Sequence, residues 1–173
     1  MRSLRRFLVS LATAVVLLAA PPAGAETWNT EDPLDPGLHG YGDIRSTRVT
    51  AAPVNVFLRV RVEEQQAYDT IWHFDTDGEG RPEFYAYRNS DTQPGTIHVG
   101  RELYGNRCEK RSVELSEGGT VLKASFPLRC LREDGVVPTR IRVRVITADD
   151  EFDADCAPGP RRGCGWSRWI DVG

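Results

Sequence analysis

Hydrophobic and polar positions alternate along two segments of this chain. Residues 54–62 carry an aliphatic side chain at every second position, with Asn55, Phe57, Arg59 and Arg61 between them. Residues 140–145 alternate arginine with Ile141, Val143 and Val145. Because successive side chains of a strand point to opposite faces, each segment is predicted to be a strand with one buried and one wet face. Antiparallel sheets allow that arrangement.

Shorter strand patterns, bounded by Gly, Pro and polar turn residues, occupy much of the remaining chain. They cover residues 44–49, 70–75, 83–88, 96–100, 111–115, 120–126 and 167–172. Gly78 and Gly80 predict a hairpin between the second and third of these segments, and residues 128–132 suit one short helical turn. About nine strands at near-regular spacing predict an all-β fold, an antiparallel two-sheet β-sandwich.

The first 25 residues have the layout of a secretory signal peptide. Arg2, Arg5 and Arg6 precede an apolar run over residues 7–20, and small residues end the segment at Ala25. The run is shorter than the about 20 residues that cross a bilayer. We therefore expect cleavage after Ala25, a secreted, extracellular product, and no membrane insertion of the mature chain.

The mature chain is expected to contain one domain. Residues 26–40 are polar and rich in Pro and Gly, which predicts a flexible N-terminal arm before a single β-sandwich domain over residues 41–173. The whole chain has a formal net charge of −3, which becomes −6 when the three leader arginines are removed. A chain of this sign has no electrostatic reason to bind nucleic acid or anionic lipid.

The four cysteines predict two disulfides, because an even number in an exported chain favours pairing. Three connectivities are possible for Cys108, Cys130, Cys156 and Cys164. The pairs Cys108–Cys130 and Cys156–Cys164 close the shortest loops without crossing and are favoured. A zinc site is the weaker alternative, because the chain has no C-x-x-C pair and no histidine close to these cysteines.

The segment from Asp75 to Glu83 is the best candidate metal site. Asp75, Asp77, Glu79 and Glu83 match ligand positions one, three, five and nine of a calcium-binding loop. The match fails at position twelve, where Ala86 replaces the bidentate Glu. A polar hairpin loop explains the same Asp and Gly residues through backbone preference alone. A structural Ca²⁺ is therefore the only cofactor that the sequence suggests.

Two further charged groups have a functional and a structural interpretation. One is an acidic cluster, interpreted as a solvated loop balanced by Arg161 and Arg162, with a metal site as the weaker alternative. Its members are Asp149, Asp150, Glu151, Asp153 and Asp155. The other is a set of strand arginines that would form a basic stripe for a polyanion or acidic sugar if their strands shared a sheet. Solvation of the wet strand faces and protection of sheet edges is the favoured structural interpretation. Its members are Arg59, Arg61, Arg140, Arg142 and Arg144.

Aromatic residues offer a possible ligand face. Tyr85 and Tyr87 project from one side of a predicted strand and could stack on a carbohydrate ring, although buried or half-buried aromatic rings are the commoner outcome. Trp166 and Trp169 could extend such a platform, whereas Trp72 is expected in the core together with Phe74.

Catalytic patterns are weak in this chain. The segment Gly165–Trp169 resembles a nucleophile elbow but lacks its second Gly, and nothing in the sequence pairs His73 with a nucleophile. No catalytic residue is therefore predicted.

Several short segments together resemble a group of small secreted actinobacterial proteins of unknown function. The segments are Gly42-Asp43-Ile44, Val54–Val62, Phe74–Gly78, Arg81–Phe84, Cys130-Leu131, Asp155–Pro158 and Trp166–Ile170. The resemblance covers most of the mature chain and implies an immunoglobulin-like or DOMON-like β-sandwich. It brings no known activity, and the Cys156–Cys164 pair departs from what such proteins are expected to share.

The expected function is that of a secreted, non-catalytic β-sandwich module that binds an extracellular ligand, either carbohydrate or protein. One alternative is an extracellular structural module stabilised by Ca²⁺ at the Asp75–Glu83 loop. A secreted hydrolase is the remaining alternative.

Overall fold

The structure is a computed structural model that describes residues 24–33, 42–63, 69–88, 96–101, 108, 112–115, 119–148, 154–159 and 164–173. Within these residues, no helix has the length and apolar content needed to cross a membrane. Most of the predicted leader, the larger part of the acidic cluster and its two arginines lie outside the described residues.

The described residues form eleven strands and one short 3-10 helix, which confirms the all-β prediction. The strands are β1 (Glu26–Glu31), β2 (Ile44–Ala51), β3 (Asn55–Val62), β4 (Asp69–Asp75), β5 (Phe84–Arg88), β6 (His98–Gly100), β7 (Ser112–Leu115), β8 (Val121–Pro127), β9 (Arg140–Ala148), β10 (Ala154–Ala157) and β11 (Ile170–Asp171). The 3-10 helix covers Leu128–Leu131, where the sequence predicts a short helical turn.

The strands are arranged in two antiparallel sheets. The first sheet has the order β1-β2-β3-β8-β7, and the second has the order β10-β9-β4-β5-β6, with β11 paired to β9. Strands β4 and β5 form the predicted hairpin, with Phe74 opposite Phe84 next to the turn. This arrangement confirms the β-sandwich prediction.

The inner faces of the two sheets form the hydrophobic core. Four of the five alternating aliphatic residues face inward as predicted, and Val56, Leu58, Val60 and Val62 are at most 2% exposed. The prediction is wrong for Val54, which precedes the start of β3 and is 67% exposed. Phe74 of the second sheet meets Phe126 of the first sheet edge-on, with ring centroids 5.6 Å apart. Since the aliphatic set is inside, the arginines of β3 and β9 are on the outer faces.

Two disulfides connect the cysteines as predicted. Cys108–Cys130 joins the 3-10 helix to a residue between β6 and β7. Cys156–Cys164 joins β10 to the segment that precedes β11. Each bridge therefore holds a connecting segment against a strand or turn of the sandwich.

The predicted flexible arm is wrong over its first six residues. Glu26–Glu31 form β1, which pairs with β2 from Glu26 opposite Ala51 to Glu31 opposite Ser46. The strand has little aliphatic alternation, so its pattern resembled a loop; backbone pairing with β2 and burial of Trp28, which is 8% exposed, hold it in place. Residues 34–40 of the predicted arm lie outside the described residues.

Candidate functional site

Asp75 organises the loop between β4 and β5. Its side chain is fully buried, and its carboxylate accepts hydrogen bonds from the backbone N–H groups of Gly78 at 2.7 Å and Gly80 at 3.0 Å. Both glycines have positive φ, 96° and 81°, a conformation that side chains with a Cβ rarely adopt. The loop conformation therefore depends on one buried carboxylate and two glycines.

Arg142 neutralises the charge of Asp75. The two residues are cross-strand partners on β9 and β4, and Arg142 Nε donates to Asp75 Oδ2 at 2.8 Å. Its Nη2 donates to the same oxygen. The first predicted calcium ligand is therefore engaged by two backbone amides and a guanidinium, so that a cation at Asp75 has to compete with an arginine.

Three of the four predicted metal ligands nevertheless converge. Asp75, Asp77 and Glu83 each offer a carboxylate oxygen, and these oxygens lie within 4.8 Å of one another. Burial raises the pKa of Glu83, and the charges of Asp77 and Asp75 add to the rise, while the hydrogen bond from the Thr76 N–H opposes it. The fourth predicted ligand, Glu79, instead pairs with the exposed Arg81 at 2.6 Å.

The predicted face of Tyr85 and Tyr87 does not present two open rings. Tyr87 is only 5% exposed, and its hydroxyl donates to Asp69. The ring of Tyr85 is half-buried and meets His73 edge-on, with centroids 5.0 Å apart. The prediction is therefore wrong for Tyr87, because its ring packs into the sheet surface.

Trp166 and Trp169 are covered by arginine. The guanidinium carbons of Arg140 and Arg142 lie 4.2 and 5.0 Å from the centre of the Trp169 ring. Those of Arg142 and Arg144 lie 5.5 and 4.7 Å from the centre of the Trp166 ring. We call these five residues the Arg–Trp stack. Both indoles are half-buried and contact guanidinium groups, so they are not the open sugar platform that the sequence suggested.

The five strand arginines do not form one basic stripe, because the condition that their strands share a sheet is not met. Arg59 and Arg61 are on β3 of the first sheet, whereas the three arginines of the Arg–Trp stack are on β9 of the second sheet. The sequence pattern places each arginine on an outer face correctly, but strand alternation does not specify which strands become neighbours.

A different basic surface forms on the outer face of the first sheet. Arg48 of β2, Arg59 of β3 and Lys123 of β8 are direct cross-strand partners. We call these three residues the basic row. Arg48 Nε donates to Asn29 Oδ1 at 2.6 Å. Within the part of the chain that the structure describes, neither Arg59 nor Arg61 forms an ion pair.

A groove with an exposed aromatic ring adjoins the basic row. Phe57 is 46% exposed, and its cross-strand partners are Thr50 and Ser125. These three residues and the basic row line a groove of about 270 Å³. The groove combines an apolar ring, two hydroxyl groups and three cations. Only Arg59 among these cations was singled out from the sequence, because Arg48 and Lys123 lie in separate, weaker strand patterns.

Asp155 is the one member of the predicted acidic cluster that the structure describes, and it is 3% exposed. Its carboxylate accepts hydrogen bonds from the Ile44 N–H at 2.6 Å and from the Cys156 N–H at 2.7 Å. Asp155 therefore ties β10 to the start of β2, which is a structural role.

Comparisons with protein-family models and with curated proteins find no match to this chain. The assignment of a function therefore depends on the surfaces described above.

Proposed function

We propose that this chain is an extracellular, non-catalytic β-sandwich module that binds its ligand on the outer face of the first sheet. The signal-peptide pattern of residues 1–25 supports an extracellular location. The two disulfides agree with it, because such bonds persist in oxidising compartments. The resemblance to small secreted actinobacterial proteins supports the same location.

The groove at Phe57 is the observation that carries the proposal. An aromatic ring that is 46% exposed on a sheet surface offers apolar area that a ligand can bury. Pyranose rings stack on such surfaces through their C–H faces, while hydroxyls like those of Thr50 and Ser125 bind sugar oxygens. The favoured ligand class is therefore carbohydrate, and a protein segment is the alternative.

Glycan-array binding by the mature protein tests this proposal. Wild type is expected to bind a subset of glycans. Phe57→Ala is expected to weaken that binding at least about tenfold, because it removes one well-packed aromatic contact with the sugar. Tyr85→Ala is the matched control, because Tyr85 is on the outer face of the other sheet, and it should leave binding unchanged. Binding that is lost in Tyr85→Ala but retained in Phe57→Ala would place the site on the second sheet.

A structural Ca²⁺ in the loop after β4 is the second candidate function. The convergence of carboxylate oxygens from Asp75, Asp77 and Glu83 within 4.8 Å favours it. The bonds from Arg142 to Asp75 oppose it, because they already supply positive charge to the loop. The ligand-binding proposal for the first sheet does not depend on this ion.

Calorimetry with CaCl₂ and an EDTA control tests whether Ca²⁺ or Arg142 balances the negative charge of the loop after β4. If Ca²⁺ binds, heat and a higher melting temperature should both disappear in Asp77→Asn. Glu79→Gln is the control, because Glu79 is outside the converging group. The absence of heat in wild type would leave the loop as an arginine-closed hairpin.

A further inference from the structure

The basic row lies in the middle of the first sheet, where it places like charges in direct register. Strand β3 is flanked by β2 and β8, so Arg59 has a cation directly opposite on each side, Arg48 and Lys123. Like charges in direct cross-strand register destabilise a sheet. Charged residues that protect a sheet against aggregation belong on edge strands, and β3 is not an edge strand.

The charge of the row also runs against the composition of the chain. The protein as a whole has a formal net charge of −3, yet Arg48, Arg59, Arg61 and Lys123 share one face with the acidic Glu31 of β1. On its other side Lys123 has Glu114 of β7 as its cross-strand partner, so the excess positive charge is centred on Arg48, Arg59 and Arg61. Local arrangements that cost stability are typical of functional sites. An anionic ligand would relieve the repulsion and would be attracted by the local field.

We propose, on the basis of the function proposed above, that the ligand of the groove is a linear polysaccharide with carboxylate or sulfate groups. One sugar ring packs on Phe57, and its acidic substituents lie over the basic row. A guanidinium binds carboxylate or sulfate oxygens through two parallel hydrogen bonds, which suits Arg59 at the centre of the row. Arg61, two residues further along β3, extends the positive surface beside the groove.

The arrangement favours a polysaccharide over other polyanions. Single-stranded nucleic acids are bound by several aromatic rings that stack successive bases, and this groove offers one ring. An acidic peptide would use the cations but has no flat, hydroxyl-rich ring to match Phe57, Thr50 and Ser125. Both polymers therefore serve as competitors in the test.

The test compares charged polymers with neutral partners of the same backbone. Polygalacturonate is compared with its methyl ester, and dextran sulfate with dextran, by calorimetry on the mature protein. The charged polymer of at least one pair is expected to bind about tenfold or more tightly than its neutral partner, and binding should weaken between about 50 and 200 mM salt. The two pairs distinguish carboxylate from sulfate recognition.

Arg59→Gln provides a readout that separates ligand binding from a structural role. The substitution should weaken binding of the charged polymer about tenfold while the melting temperature rises, because the repulsion with Arg48 and Lys123 is removed. Arg129→Gln is the control, because Arg129 is exposed on the 3-10 helix and does not line the groove, and it should change neither quantity.

Each alternative result has a defined meaning. Equal binding of neutral and charged polymers that still requires Phe57 would overturn the anionic class and leave the proposed function standing. Preferential binding of a poly(dT) oligonucleotide or of polyglutamate would overturn the polysaccharide. A lower melting temperature in Arg59→Gln would assign Arg59 a structural role. Failure of all four sugar polymers to bind would overturn the acidic polysaccharide, whereas the proposed function would fall only if the glycan array also showed no binding that depends on Phe57.

Discussion

At the scale of single residues, His73 shows how the outer face of the second sheet holds its arginines. Arg144 Nε donates to His73 Nδ1 at 2.9 Å, which requires an imidazole without a proton on that nitrogen. Burial lowers the pKa of His73 from 6.5 to about 4, and the positive charge of Arg144 contributes to the decrease. His73 is therefore neutral at physiological pH and acts as an acceptor that orients Arg144 towards Trp166.

This pKa predicts a pH-dependent stability that can be assigned to one residue. Between pH 6.5 and about 4, the unfolded chain binds a proton at His73 and the folded chain does not. The free energy of unfolding should therefore fall as the pH is lowered through this window, by about 2 kcal/mol from His73 after allowance for its partial exposure.

His73→Asn isolates that contribution, because the Asn Oδ1 still accepts from Arg144 but does not titrate. Urea unfolding at pH 7 and pH 4 should show a smaller loss in the variant than in wild type. All other titrating groups, Glu83 included, are common to both proteins and cancel in the comparison. If the free energy of unfolding fell equally in the two proteins, protonation of His73 would not destabilise the folded state.

At the scale of structural elements, the segment before β11 is fixed to β9 with few regular strand bonds. The Ser167 N–H donates to the Val143 carbonyl at 2.8 Å, and the Val143 N–H donates to Ser167 Oγ at 2.8 Å. The Arg–Trp stack supplies further contacts, with four guanidinium–indole pairs between 4.2 and 5.5 Å. Trp169 also lies close to Gly78, so the stack adjoins the loop after β4.

Trp169→Ala should therefore destabilise the protein by about 3 kcal/mol, through lost packing and two lost cation–π contacts. The measurement is the free energy of urea unfolding, followed by the fluorescence of the remaining tryptophans. Val136→Ala is a suitable control, because Val136 is 70% exposed and should change the free energy little. A loss below about 1 kcal/mol for Trp169→Ala would mean that the stack contributes little to stability.

At the scale of the whole molecule, the two disulfides restrict loops of different length. The bridges span 22 and 8 residues of sequence. By loop-closure entropy, the longer bridge stabilises the fold by about 3.5 kcal/mol and the shorter one by about 2.5 kcal/mol. A domain of this size has a total stability of about 5–15 kcal/mol, so neither contribution is small.

We expect the Cys108→Ala/Cys130→Ala variant to be less stable than the Cys156→Ala/Cys164→Ala variant, with both less stable than wild type. Thermal unfolding of the three proteins under non-reducing conditions gives the ranking. Wild type measured with a reductant should approach the stability of a variant without either bridge. The reverse ranking would indicate that the contacts around Cys156 and Cys164 contribute more than loop closure.

Local patterns in the sequence determined the fold class. Alternation over 54–62 and 140–145 identified strands with one buried face, because the side-chain period of two is a property of the strand itself. Gly78 and Gly80 located the hairpin because the preference of glycine for tight turns is also a local property. Loop length alone favoured the observed disulfide pairs. β1 was missed because its stability comes from pairing with β2, a partner that its own residues do not specify.

Only the tertiary structure decided which residues meet across strands. Arg142 opposite Asp75, arginines against Trp166 and Trp169, and Arg59 between Arg48 and Lys123 all depend on the order and register of strands far apart in sequence. Alternation places a side chain on a face but contains no information about the neighbouring strand. Strand order is set by how the whole chain buries its apolar faces, and the candidate binding surface exists only after that order is formed.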